Sequence, residues 1–168
     1  MKIINLFFIL FFLVSCSQKV DAPMSKVSQN INSEFNLPNL DNAYVSSDEY
    51  KGKYILINFW ATWCAPCVRE LPSLNNLNKI FLKNDSFEMI AINIGQEKSV
   101  VKKFLNEKAS VDFTVLLDEK MELSNWNVQA IPTTFLVDKT GKVLDKSEGE
   151  KSWDDPKFIT FFNSFLKK

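Results

Sequence analysis

The chain contains no histidine. That excludes Ser-His-Asp and Cys-His catalysis, His-ligated zinc, and covalent haem attachment through C-x-x-C-H, since Val68 follows Cys67. Cysteine is scarce as well, with 3 in 168 residues, too few for a closed zinc site of four thiolates. No charge is in excess: Lys plus Arg and Asp plus Glu number 20 each, so neither nucleic acid nor an anionic membrane surface is an expected electrostatic partner. There is no internal repeat and no low-complexity block. No metal is expected, and no cofactor beyond a cysteine pair. The length leaves room for one domain with a genuine core and a short appendage, expected to be a monomer.

What is present begins with the amino terminus. Met1-Lys2 is a minimal basic start, and IINLFFILFFLV has the length of a signal-peptide core rather than of a membrane span. It runs into LVSC, Leu13 to Cys16, which resembles the bacterial lipobox, in which a cysteine next to small residues is lipidated and becomes the new amino terminus. The other readings are an ordinary cleavable signal, or a short anchor with an incidental Cys16. On the lipoprotein reading residues 1–16 are the signal, and Cys16 is consumed by lipid, which leaves one cysteine pair. Residues 17–34 are mostly Ser, Gln, Lys and Asn, a composition that cannot bury a core and predicts a flexible tether. The folded domain is expected over 35–168.

Within that domain FNLPNL and NAYVSS flank Asp41-Asn42, a plausible tight turn between two short strands, and SSDEY has the form of a helical turn capped by Ser46 or Ser47. KYILINFW is a near-continuous apolar run, the pattern of a central strand covered on both faces. After the cysteines Val68, Leu71, Leu74, Leu77 and Phe81 recur at helical spacing, with Pro72 expected to kink the helix. FEMIAINI is a second buried strand. KSVVKKFLNEK is an amphipathic helix with Val100, Val101, Phe104 and Leu105 as its apolar face. FTVLLD is short and apolar, and MELSNWNV suggests a short helix. TTFLVD and KVLDKSEG form a hairpin turning through Asp138 and Gly141, and Pro156 opens a last helix bearing Phe158, Phe162, Phe165 and Leu166. The order predicts an α/β domain: a parallel strand pair joined by a crossover, then an antiparallel hairpin, giving a central mixed sheet flanked by helices.

The chemistry concentrates in INFWATWCAPCVRELP. Cys64 and Cys67 could in principle staple the fold, but a bridge closing so small a loop gives little entropic stabilisation. Redox exchange has a clearer cause. Cys64 lies at a strand-to-helix junction, where unpaired amides and the helix dipole favour a thiolate. Cys67 is one turn further on, close enough to attack a mixed disulfide on Cys64. Pro66 suits the first helical turn, which lacks a partner for its amide anyway.

NFWATWCAPCVRELP, followed by IPTTFLVDKTGKV, resembles the thioredoxin superfamily, specifically the TlpA/ResA-like branch of membrane-tethered extracytoplasmic thiol–disulfide oxidoreductases. The resemblance runs from about Phe35 to the end and includes an inserted segment of roughly Gly95 to Val128. It implies a thioredoxin fold with an N-terminal β-hairpin and a central βα-type insertion. It also implies that Cys64 is the exposed nucleophile, Cys67 the buried resolving cysteine, Trp63 an aromatic shield and Pro132 a cis-proline facing the disulfide. Substrate contacts are implied for Trp63, Ala65, Pro66, Ile131 and Pro132. Asn58 stands where cytoplasmic thioredoxins carry a buried aspartate, and Glu70, three residues beyond Cys67, matches a glutamate associated with proton transfer. From the residues alone, Glu70 is equally an ordinary solvated charge beside Arg69. Thr133 follows Pro132 where CcmG-like cytochrome-maturation proteins carry a glutamate.

The resemblance further implies exported clients with cysteine pairs, apocytochrome c or a copper-site assembly protein among them. It implies a membrane electron donor of the DsbD/CcdA type and a place outside the cytoplasm, attached to a bacterial membrane through lipid. Three alternatives stand beside a reductant: a general disulfide-forming oxidant, a peroxiredoxin-like peroxidase, for which the P-x-x-x-T-x-x-C spacing is missing, and a peptide-binding module using the Pro132 groove.

Overall fold

A computed structural model describes residues 22–122 and 124–166. Cys16 and the apolar leader lie outside the described residues. In chain order the elements are β1 (Ser25–Lys26), β2 (Asn36–Pro38), β3 (Tyr44–Ser46), a 3-10 turn (Ser47–Tyr50), β4 (Tyr54–Trp60), α1 (Ala65–Phe81), β5 (Phe87–Ile94), α2 (Lys98–Glu107) and β6 (Thr114–Asp118). A second 3-10 turn (Ser124–Trp126), β7 (Thr133–Val137), β8 (Val143–Glu148) and α3 (Pro156–Leu166) complete the set. One sheet runs in the order β1-β8-β7-β4-β5-β6, and β2 and β3 form a separate antiparallel hairpin. β4 is central, parallel to β5 and antiparallel to β7. β6 extends the sheet parallel to β5, so the inserted segment contributes α2 and one edge strand.

The unbroken apolar run of β4 is explained by its place. Leu56 and Trp60 enter one core and Ile55, Ile57 and Phe59 the other, so both faces are buried. The first core takes the inward residues of α1, α2 and α3 together. The other face is covered by Phe35, Leu37 and Trp126 from the hairpin side and the second 3-10 turn. Helices therefore lie against one face of the sheet, not both, because the N-terminal segments supply enough apolar surface to cover the second. α1 continues through Pro72, which sits on its exposed side and withholds one amide from the helix ladder. Ser46 caps the first 3-10 turn, with Glu49 reaching back to the Ser46 amide at 2.8 Å. On α2, Val101 and Leu105 are buried, whereas Val100 is 46% exposed and turns away from the core.

Part of the stretch expected to be a tether is fastened to the domain. Residues 22–34 run along the domain: Met24 is buried, and Ser25 and Lys26 pair with Lys146 and Asp145 of β8. The anchor beneath this strap is an ion pair. Asp145 is 0% exposed, Lys26 Nζ donates to its Oδ2 at 2.9 Å, and its Oδ1 has no partner among the described residues. A buried carboxylate that loses its cation is costly, while replacing both partners by apolar groups is often neutral. Lys26→Met should therefore lower unfolding stability by about 2 kcal/mol, less than for a fully buried pair because Lys26 is largely solvated. Lys26→Met combined with Asp145→Leu should recover most of that loss. Urea unfolding followed by tryptophan fluorescence checks both, and an unchanged midpoint for the single variant would show that the ion pair does not hold the strap.

Candidate active site

β4 ends at Trp60, and the chain turns at once into α1. The Cys64 amide donates to the Ala61 carbonyl at 3.1 Å, closing a tight turn with Thr62 and Trp63 at its corners. Cys64 is the N-cap of α1: its Sγ accepts from the Cys67 amide at 3.3 Å and its carbonyl accepts from Val68 at 3.0 Å. Pro66 occupies the first helical turn, as its missing amide allows. The sulfur thus sits where the helix dipole and free amides favour negative charge. Cys64 and Cys67 are joined in a disulfide, with Sγ atoms 2.08 Å and Cα atoms 5.2 Å apart.

The Ile131–Pro132 peptide is cis, and the Ile131 carbonyl oxygen lies 3.6 Å from Cys64 Sγ. In the disulfide form neither atom carries a proton, so this is a packing contact. The Pro132 carbonyl accepts from the Gly149 amide at 2.9 Å, and Thr133 Oγ1 donates to the Ala130 carbonyl at 2.7 Å, fixing the loop from both sides. Cys67 is fully buried. Cys64 keeps only 5% exposure and is not the open nucleophile expected, because the disulfide tucks its sulfur against the Ile131 carbonyl. Trp63, by contrast, is 68% exposed, Ala65 is exposed, and Pro66 and Ile131 are half-buried. The apolar rim expected to meet a client therefore surrounds a recessed disulfide.

Glu70 is where the two readings diverge most, and the geometry separates them. Arg69 is the solvated charge, pairing with Glu150 through two nitrogens, while Glu70 is 1% exposed. Asn58 Nδ2 donates to Glu70 Oε1 at 2.8 Å, and the Lys151 amide and Trp153 Nε1 each donate to Oε2 at 3.1 Å. Burial pushes the Glu70 carboxyl up to about 7, against these three donors, which pull it down. Asn58 also donates to Thr134 Oγ1 at 2.9 Å, while its Oδ1 has no partner among the described residues. Turned over, the Asn58 amide would offer that oxygen to a protonated Glu70. An aspartate at this position would instead set two carboxyls against each other. Glu70 and Cys67 are helical neighbours at i and i+3.

Three contributors carry no sequence signature. Lys151 acts through its backbone, Trp153 lies 83 residues from Glu70, and Gln96 reaches the active-site turn from the β5–α2 loop. A buried acid needs donors, which makes the uncharged Asn58 two residues before Trp60 the one local hint. Nothing in the pattern pointed to the other partners.

The Redoxin family model matches residues 20–160. The chain is 40% identical over 108 residues to the thiol-disulfide oxidoreductase ResA of Geobacillus kaustophilus, covering 64% of this chain and 61% of that protein. Its identity to the ResA of Geobacillus thermodenitrificans is 38% over 125 residues, covering 74% and 71% of the two chains. The chain thus spans somewhat under two thirds of the first relative. Among solved structures, a Chlorobium tepidum protein described as a thiol:disulfide interchange protein DsbE superposes with a TM-score of 0.73 at 28% identity, over 82% of this chain and 96% of that one. With its disulfide-forming C-x-x-C pair at a helix N-terminus beside a cis-proline, the chain belongs to the redoxin family and, within it, to the ResA-like thiol–disulfide oxidoreductases of thioredoxin fold.

Proposed function

We propose that this protein reduces disulfides in exported client proteins by thiol–disulfide exchange through Cys64 and Cys67. The observation that carries the reading is the Cys64–Cys67 disulfide at the α1 N-terminus, packed against the Ile131–Pro132 peptide, with a buried carboxyl one turn further along. The reduced pair starts the reaction. The Cys64 thiolate attacks one client sulfur, the client S–S bond breaks, and the departing client thiolate takes a proton. Glu70 then accepts the Cys67 proton. The Cys67 thiolate attacks Cys64 Sγ, breaks the mixed disulfide and releases the second client thiolate. Two electrons have passed to the client and the protein is left as the disulfide seen here. Trp63, Ala65, Pro66 and Ile131 form the rim that meets the client chain, and Pro132 sets the backbone against which an extended client segment lies.

Reuse requires a reductant for the Cys64–Cys67 disulfide. The ResA-like resemblance supports a membrane dithiol donor of the DsbD/CcdA type. The apolar leader ending in Cys16 supports attachment outside the cytoplasmic membrane as a lipoprotein. The ResA-like resemblance supports cytochrome c or copper-site precursors as the clients, met by the domain as a monomer. No helix among the described residues is long and apolar enough to cross a membrane.

The division of labour between the cysteines is tested by trapping. Cys67→Ser should accumulate mixed disulfides with clients, because Cys64 attacks and nothing resolves the product. Cys64→Ser should trap few or none, its remaining thiol being fully buried. Non-reducing electrophoresis with mass identification reads both, and equal trapping by the two variants would reverse the assignment.

Glu70 has two pH signatures. Acceptance of the Cys67 proton needs the carboxylate, so resolution of a mixed disulfide should speed up as pH rises through about 7. Glu70→Gln should slow resolution by at least about tenfold at neutral pH and remove that inflection. The second signature is in stability. The folded pKa lies above the ordinary 4.5, so the native state holds the extra proton between the two values. This contribution is fully present below 4.5 and is lost as pH rises through about 7, a fall of about 3 kcal/mol. Glu70→Gln should flatten that fall, since a turned Asn58 can accept from the new amide. Superimposable pH profiles for both proteins would make Glu70 a bystander.

A further inference from the structure

We propose that Gln96 is a positioning residue for the redox pair, its side-chain amide holding the turn from which Cys64 and Trp63 project. This rests on Cys64 being the attacking cysteine. The Thr62 amide donates to Gln96 Oε1 at 2.8 Å, and Gln96 Nε2 donates to Thr62 Oγ1 at 2.8 Å. One amide thus grips one residue at two points, at the first corner of the Ala61–Cys64 turn. Asn93, fully buried near the end of β5, donates to the same Gln96 oxygen at 3.1 Å and leaves its own Oδ1 without a partner among the described residues. A buried acceptor is left unmatched while the donor of the same amide orients Gln96.

The base from which Gln96 reaches is itself held. Gly95 adopts φ +64, and its amide donates to the Asp118 carbonyl at 2.9 Å; a Cβ there would meet Met121 Sδ at 3.3 Å. Two residues beyond Gln96, the Lys98 amide donates to Glu119 Oε1 at 2.9 Å. The loop is therefore fastened to the end of β6, and the inserted segment is coupled to the active-site turn through Gln96.

The clamp matters most when the disulfide is open. In the oxidised protein the S–S bond itself ties Cys64 to α1. Reduction removes that tie, and the turn is then held by the hydrogen bonds of the Cys64 amide to Ala61 and of the Val68 amide to Cys64, and by Gln96. That is the state in which Cys64 attacks, so a loosened turn lowers the fraction of encounters with the thiolate at the helix end and in line with a client sulfur.

The test uses the full reduced chain, with Cys64 and Cys67 read separately by peptide mass analysis. Two quantities are measured against pH: the rate of iodoacetamide capture at Cys64 and the rate of reaction with oxidised glutathione. Gln96→Ala should lower the glutathione reaction about tenfold and move the pH midpoint of Cys64 capture upward. Gln96→Glu should keep most of the parent rate, because a carboxylate can accept from the Thr62 amide, the Thr62 hydroxyl and Asn93 together. Thr62→Val, a milder change, should shift both quantities in the same direction, and the double variant with Gln96→Ala should be no worse than Gln96→Ala alone. Unchanged Cys64 rate and midpoint in Gln96→Ala and Thr62→Val, even with a lowered melting temperature, would overturn the proposal and leave Gln96 a stabilising contact. Preferential capture at Cys67 in the parent protein would instead overturn Cys64 as the nucleophile, and the proposal with it.

Discussion

The site depends on one constraint: β4, a central strand buried on both faces, stops at Trp60, and from there the chain must enter α1 within a few residues. A central strand cannot slide, since a slip of one residue would exchange Leu56 and Trp60 with Ile57 and Phe59 across the sheet. The position of Cys64 is therefore inherited from the packing of β4. The same strand pairs with β7, whose first residue follows Pro132, so the disulfide and the cis-proline loop are placed by two neighbouring strands of one sheet.

In the proposed reaction Glu70 adds an acid–base group to that scaffold. Its cradle joins three separate parts of the chain: β4 through Asn58, α1 through its own backbone, and the segment leading to α3 through Lys151 and Trp153. Ser73 reinforces the same junction, donating to the Glu70 carbonyl at 2.8 Å and accepting from the Trp153 amide at 3.1 Å. An ionised carboxyl at 1% exposure is expensive, and three donors offset part of that cost without removing it. The result is a carboxyl raised to about 7 one helical turn from Cys67, the cysteine that loses a proton in the proposed reaction. Asn58 fits this scheme, because an amide can donate to a carboxylate or accept from a carboxylic acid.

The elements that set this geometry were legible wherever burial imposes a period. The apolar runs of β4 and β5, the spacing of Leu71, Leu74, Leu77 and Phe81, and the hairpin through Gly141 all follow from which faces meet a core. The C-x-x-C pair and Pro132 were legible through the motif. What escaped was held by single contacts. Residues 22–34 look like a solvated linker, yet one Met in the core and one Lys on a buried Asp hold them to the sheet. Arg69 and Glu70 are indistinguishable as adjacent charges, and what separates them is partners elsewhere in the fold: Asn58 on β4 and groups about 80 residues away. Gln96 is an unremarkable polar loop residue until the fold brings it to Thr62. Side-chain polar pairing between distant segments has no periodicity to read.

In the proposed function Cys64 and Cys67 form one two-electron couple poised to give electrons away. Its most direct measurement is the reduction potential of the pair, obtained by equilibrating the full chain in glutathione buffers of graded ratio and counting thiols at the two cysteines by mass. A reductant should show a single cooperative transition at or below about −260 mV, on the reducing side of the glutathione poise. A transition near about −120 mV, the range of a strong disulfide donor, or independent titration of the two cysteines would contradict it.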